Sequence, residues 1–176
     1  MDLVDLIVEK RFIGQEVLTW LWFKSEERGG TIAVPDVGEV IVVFEKHMLL
    51  EYGEGDYNEK LVCSGLQAEM KEARTGLRTG KKLEQARLQV AAGQYEWNVT
   101  LGASFLEFRN VKPPKGAAAQ PDSNSPEEQE GLILERVFLF EELIRIIHAL
   151  FRMFLQVRLS EERWSGELQR LRSWVH

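Results

Sequence analysis

Six cations fall within twenty residues of one another: Lys71, Arg74, Arg78, Lys81, Lys82 and Arg87 stand in the stretch KEARTGLRTGKKLEQARLQV, against only Glu72 and Glu84. That stretch carries +4 in a chain of net charge −6, so the remaining residues carry −10. Side chains of this type neutralise phosphates. Six such contacts would hold a nucleic acid without regard to its sequence, and each contact would cost about 0.9 logarithmic units of affinity per tenfold rise in salt. The competing reading is a solvated face whose cations are balanced by Glu72 and Glu84 at helical spacing. No base-reading motif accompanies the cluster.

Other chemistry finds less support. His47, His148 and His176 are not spaced with one another or with Cys63 as a metal ligand set, so no metal or other cofactor is expected. GLRTGKK contains a Gly-Lys pair, but Gly76 stands one residue too close to Gly80 for a phosphate-binding loop, and Lys82 follows where Ser or Thr is needed. The acidic GEGDYNE stretch lacks the twelve-residue ligand ladder of a calcium loop. Asp36 followed by Glu69 and Lys71 imitates the acid, acid and lysine of metal-dependent nucleases. Such a site needs all three in one pocket on adjacent strands, whereas Glu69 and Lys71 fall on a predicted helix. Trp20, Trp22 and Trp97 lie in apolar patterns that suit core packing better than base stacking.

The elements that would hold the cations follow from periodicity. A helix is expected over 12–26, apolar on nearly every face and therefore enclosed. Gly29 and Gly30 end it, Pro35 sits in a loop, and EVIVVFEKHMLLEY has the β-branched density of one or two strands. GEGDYN reads as a turn and EKLVCS as a short strand. Ser64 and Gln67 form a capping-box pattern opening a helix that runs to Arg78 and stops at Gly80. Lys71, Arg74 and Arg78 then share one helix side, with Lys81 and Lys82 just past its end. From Lys82 the period changes to two, and Arg87 belongs to a strand. YEWNVTLG and SFLEFRNVK complete an antiparallel meander.

Residues 113–124, rich in Pro, Ala and Ser, read as a flexible linker between a domain over 1–112 and a helical segment over 125–176. In that segment Ser125 and Pro126 open a helix to about residue 159, and a shorter one follows from Ser160 with Trp164, Leu168, Leu171 and Val175 as its apolar stripe. The fold class expected is therefore α+β: an antiparallel sheet packed with helices, with a long C-terminal helix followed by a short one.

A lone cysteine, Cys63, allows no internal disulfide, and Asp2 and Asp5 stand where a signal peptide would be positive, so a cytoplasmic setting is expected. The apolar stretch 132–157 is broken by Glu135, Arg136, Glu141, Glu142, Arg145, His148 and Arg152, which argues against a membrane partner.

The segments RFIGQEVLTWLWFKSEERGG, VCSGLQAEMKEARTGLRTGKKLEQARLQV and EWNVTLGASFLEFRNVKPPK resemble the carboxy-terminal half of RdgC-like recombination-associated proteins, over most of 11–115 and more loosely over 135–159. The resemblance implies an α+β, dimeric, ring-forming protein that coats duplex DNA and restrains RecA-driven strand exchange, although an older description of the family is as an exonuclease. It implies a non-catalytic, nucleoid-associated role, with Lys71, Arg74, Arg78, Lys81, Lys82 and Arg87 facing duplex DNA. The family's amino-terminal region has no counterpart here, so either a homodimer or a separate chain would complete the assembly. The 126–159 and 164–175 helices are the surfaces expected to mediate it. An assembly protein that keeps the fold without DNA contact is the alternative reading, with a metal-dependent nuclease as a further one.

Overall fold

Val17, Leu18, Trp20, Leu21, Trp22 and Phe23 put apolar side chains all round one helix, and such a helix is stable in water only when covered on every side. In the computed structural model, which describes residues 12–52, 59–64, 68–115 and 125–176, all six are buried in helix α1 (Phe12–Glu26). One cover is an antiparallel sheet. Its strands are β1 (Thr31–Val34), β2 (Gly38–Tyr52), β3 (Glu59–Ser64), β4 (Lys82–Ala92), β5 (Tyr95–Gly102) and β6 (Phe108–Lys112). The other cover comes from helices α3 (Pro126–Arg158) and α4 (Glu161–Val175). Helix α2 (Ala68–Arg78) lies between β3 and β4 in the chain. The fold is α+β, with the long helix followed by the shorter one.

The strands run β1-β2-β4-β5-β6, and β3 also pairs β2. Strand β4 pairs β2 from Val40 to Glu51, so β1 and β3 share the opposite edge, β1 along residues 38–41 and β3 along 47–52. EVIVVFEKHMLLEY is one strand, with register shifts between Phe44 and Met48 and between Leu49 and Leu50. The meander β4-β5-β6 forms as read, except that Ser104–Leu106 is a turn of 3-10 helix before β6. Strand β1 was not anticipated, because Gly29, Gly30 and Pro35 together read as loop. The Asp36 backbone at φ 61° and Gly38 at φ 101° close the tight β1–β2 turn that makes it possible.

Alternation sorts the sheet into two faces. Val40, Val42, Phe44, Met48, Leu50, Ala86, Leu88, Val90, Trp97, Val99 and Leu101 are buried on one face. All the described helices that touch the sheet do so there: Phe44 stacks on Trp22 of α1, the Leu50 side chain touches α2 at Gly76, and the Trp97 indole N–H donates to the Leu139 carbonyl of α3 at 3.1 Å. The other face shows Ile41 and Val43 part-exposed.

The C-terminal helices pack through aromatics. Phe154 of α3 is fully buried against Trp20 and Trp164, and Trp174 of α4 meets Trp22 edge-on at 5.0 Å. Helix α3 opens with Ser125 as N-cap and Pro126 in its first turn, as read. Its 33 residues span about 50 Å, but its buried positions begin only at Leu139. No helix of the described residues is long and apolar enough to cross a membrane. The capping-box Gln67, the GEGDYN turn and linker residues 116–124 lie outside the described residues.

Candidate nucleic-acid interface

The six cations do not form one continuous surface. Helix α2 packs on the buried face of the sheet, where a Cβ at Gly76 would come within 3.0 Å of Leu61 and 3.2 Å of Leu50. Arg87 alternates with the buried Ala86 and Leu88, so it projects from the opposite face, where it pairs with Glu45 at 2.6 Å. The sequence places a helix residue and a following strand residue close along the chain, but strand alternation assigns them to opposite sides of the sheet.

Arg74 is committed to the fold. The Glu26 carboxylate at the end of α1 accepts from the Trp22 indole N–H at 2.9 Å, from the Trp174 indole N–H at 2.8 Å and from the Arg74 guanidinium, which also lies 4.9 Å from the centre of the Trp174 ring. Three helices are joined at one carboxylate. Lys81 is paired as well: its ammonium donates to Glu59 at 2.7 Å, and that contact holds the Glu59 carboxyl below its usual pKa. Lys71, Arg78 and Lys82 are exposed and pair with no carboxylate among the described residues, and Arg78 donates only to the Thr75 hydroxyl, at 3.0 Å. The solvated-face reading named Glu72 and Glu84 as balancing groups; the pairs that form use Glu26, Glu45 and Glu59 instead, from distant elements.

Three of the six do converge. Arg78, Lys81 and Lys82 line one side of a cleft of about 440 Å³ between α1, the end of α2, the start of β4 and α4, and Arg172 and His176 line the other. Leu77, Trp164, Leu168 and Leu171 are part of its apolar lining. Gly80, at φ 91°, makes this possible by turning the chain from α2 into β4 directly at the cleft edge. Arg172 was not singled out from the sequence. Its only signal was its place beside Leu171 in the apolar stripe of α4, where a charge next to the packing side marks a rim. Helix α1 contributes Glu16 to the lining, and that carboxylate is taken up by Arg158 at 2.6 Å.

The tryptophans are packing residues. Trp20, Trp22 and Trp97 are at most 2% exposed, and Trp164 is held between Phe154 and the Arg158 guanidinium, 4.9 Å from its ring. Trp20, Trp22 and Trp97 offer no free face for stacking a base.

The nuclease frame comes apart. Asp36 sits in the β1–β2 turn at one end of β2, while Lys71 rides on the helix that covers Leu50 at the other end. Twelve strand residues separate those ends, about 40 Å. The Glu69 side chain lies outside the described residues, and among those described no group of three His, Cys, Asp or Glu side chains could hold a metal ion. No protein-family model matches this chain, and no curated protein is significantly similar to it.

Proposed function

We propose that the chain is a non-catalytic, RdgC-like module that binds duplex DNA through its phosphate backbone, at the cationic rim of the α2–α4 cleft. The observation that carries this reading is the meeting of Arg78, Lys82 and Arg172 at one cleft, none of them paired with a carboxylate among the described residues. Cations that pair with no carboxylate among the described residues, on a chain of net charge −6, are poised to accept an external anion, because binding there costs no ion pair among those residues. Lys81 adds a fourth charge where the exposed Glu59 yields it. A rim of this kind grips phosphates and reads no bases, so the affinity is sequence-indifferent and steeply salt-dependent. Lys71 extends the patch along α2; Arg74 and Arg87 do not belong to it. Recombination and a nucleoid location follow from the family likeness and are part of the same proposal, which calls for no cofactor.

A salt titration of binding to a short labelled duplex tests it. Arg78→Ala/Lys82→Ala/Arg172→Ala is expected to lower the log–log salt slope by up to about 2.7, and Arg87→Ala to leave it within about 0.3. No binding by the wild type at low salt, or a triple variant with unchanged slope, defeats the reading. A second reading, an assembly protein that has lost DNA contact, is favoured by one observation: Ile133, Leu134, Val137, Phe138 and Phe140 of α3 are each between 41% and 62% exposed.

A further inference from the structure

Helix α4 leaves its apolar stripe half-open. Trp164, Leu168, Leu171 and Val175 recur at the spacing of one helix face, yet each is only partly buried, and the one buried side chain of the helix is the carboxylate of Glu167. Trp164 packs on Phe154, whereas Leu168, Leu171 and Val175 stand outside the hydrophobic core. All four line the cleft of about 440 Å³ instead, together with Leu77 of α2. Small-molecule sites occupy about 300–1,000 Å³, and this cleft falls within that range. From Trp164 to Val175 the stripe runs about 16 Å along the helix. Gripping a phosphate backbone makes no use of it, because phosphates engage the cations alone.

We infer that the cleft is a binding site for a small amphipathic anion, an unbranched aliphatic carboxylate of medium length, whose chain lies along the α4 stripe and whose head group meets Arg78, Lys82 and Arg172. Charge complementarity fixes the head. Those three cations pair with no carboxylate among the described residues, while Glu16 of the same lining is already held by Arg158 at 2.6 Å. The remaining lining fixes the tail. Its uncharged polar side chains donate within the fold: the Thr19 hydroxyl to the Gln15 carbonyl at 2.8 Å, and the Gln15 amide to Glu84. A buried peptide would bring amides that each need a partner, and this lining has few to give, whereas methylenes need none. A bare phosphate would leave Leu168, Leu171 and Val175 facing water. A ligand with both an anionic head and an alkyl tail uses the whole lining. Because the site rests on the apolar stripe, it holds whether or not the same cations also grip duplex DNA.

Isothermal titration calorimetry of the full chain with octanoate, decanoate and dodecanoate, each below its micelle concentration, is the test. Dodecanoate is expected to bind once per chain with a Kd on the order of 100 µM. Each shortening by two carbons should weaken it at least about fivefold, since a fully buried methylene is worth about fourfold. Arg78→Ala/Lys82→Ala/Arg172→Ala should weaken dodecanoate at least about tenfold through loss of the head-group contacts. Leu168→Gln, with a melting temperature within a few degrees of wild type, should do the same through the tail. Dodecyltrimethylammonium, the same tail under the opposite charge, should give no one-to-one binding. No binding of dodecanoate below about 1 mM, affinity that ignores chain length, or wild-type affinity in either variant overturns the site. The chain-length series uses the wild type alone and does not depend on how any variant folds.

Discussion

Gly14→Ala is expected to remove a large share of the stability of the fold. Helix α1 passes so close to the segment after β5 that a Cβ at position 14 would stand 1.8 Å from the Ala103 carbonyl oxygen and 2.7 Å from its carbonyl carbon. Neither atom can turn aside as a side chain could. The Ala103 amide donates to the Glu84 carbonyl at 2.7 Å, and Gly102 donates to Glu107 at 2.9 Å, so this backbone is fixed on both sides. Relief requires α1 to lift from the sheet, which loosens the packing of Leu18, Trp20 and Trp22 together. Overpacking of a core commonly costs 1–3 kcal/mol; with backbone against backbone the expected loss is about 4 kcal/mol, a large share of the stability of an ordinary domain. Urea denaturation should register it, together with a fall in melting temperature of about 12 °C. Gly131→Ala is the contrast: it sits in the exposed start of α3 with nothing within 4 Å, and it should stabilise by up to about 1 kcal/mol through helix propensity alone.

The second large effect centres on Glu167, a carboxylate that is only 7% exposed on α4. It accepts from the Trp20 indole N–H at 2.9 Å and pairs with Lys24 at 2.5 Å, both on α1, and with Arg170 at 2.9 Å on its own helix. Burial pushes its carboxyl pKa up, but the Lys24 and Trp20 hydrogen bonds and the two nearby cations outweigh that and hold it below the ordinary carboxylate value. Glu167→Ala leaves a buried indole N–H without an acceptor and takes a close partner from Lys24. The expected cost at pH 7 is about 3 kcal/mol. Because the folded-state pKa is depressed, the unfolded chain binds the proton more readily. The contribution is therefore complete above the unfolded carboxyl pKa of about 4.3 and is lost as pH falls through the lower folded value. Glu167→Gln keeps the acceptor and drops the charge. The stability gap between wild type and Glu167→Gln should narrow as pH falls from 7 to 3, and a gap independent of pH contradicts this role.

Much of the scaffold can be read from periodicity because burial here follows period directly. Helix α1 is read over about the span that it occupies among the described residues, and the β4-β5-β6 meander and the long helix opened by Ser125 and Pro126 follow from alternation and capping. What could not be read is which side of the sheet an element occupies. Arg87 and Arg78 are nine positions apart in the chain, yet the sheet lies between them, and nothing local records where α2 will pack. Ion pairing is equally non-local. Glu26, Glu45 and Glu59, which engage Arg74, Arg87 and Lys81, lie between 22 and 48 residues from their partners, and no spacing rule reaches so far. Arg172 joins the rim only because α4 folds back over α1. The same fold-back placed Glu167 beside Lys24 and Trp20, a network invisible to any window of sequence.

The enclosure of α1 also governs the order in which a growing chain can finish folding. Its tryptophans are covered on one flank by β2 and on the other by Phe154 and Trp174, so that flank stays bare until residue 174 has left the ribosome. For most of translation the nascent molecule displays a greasy helix with half its shelter still unmade, a state open to aggregation and suited to capture by a holding chaperone.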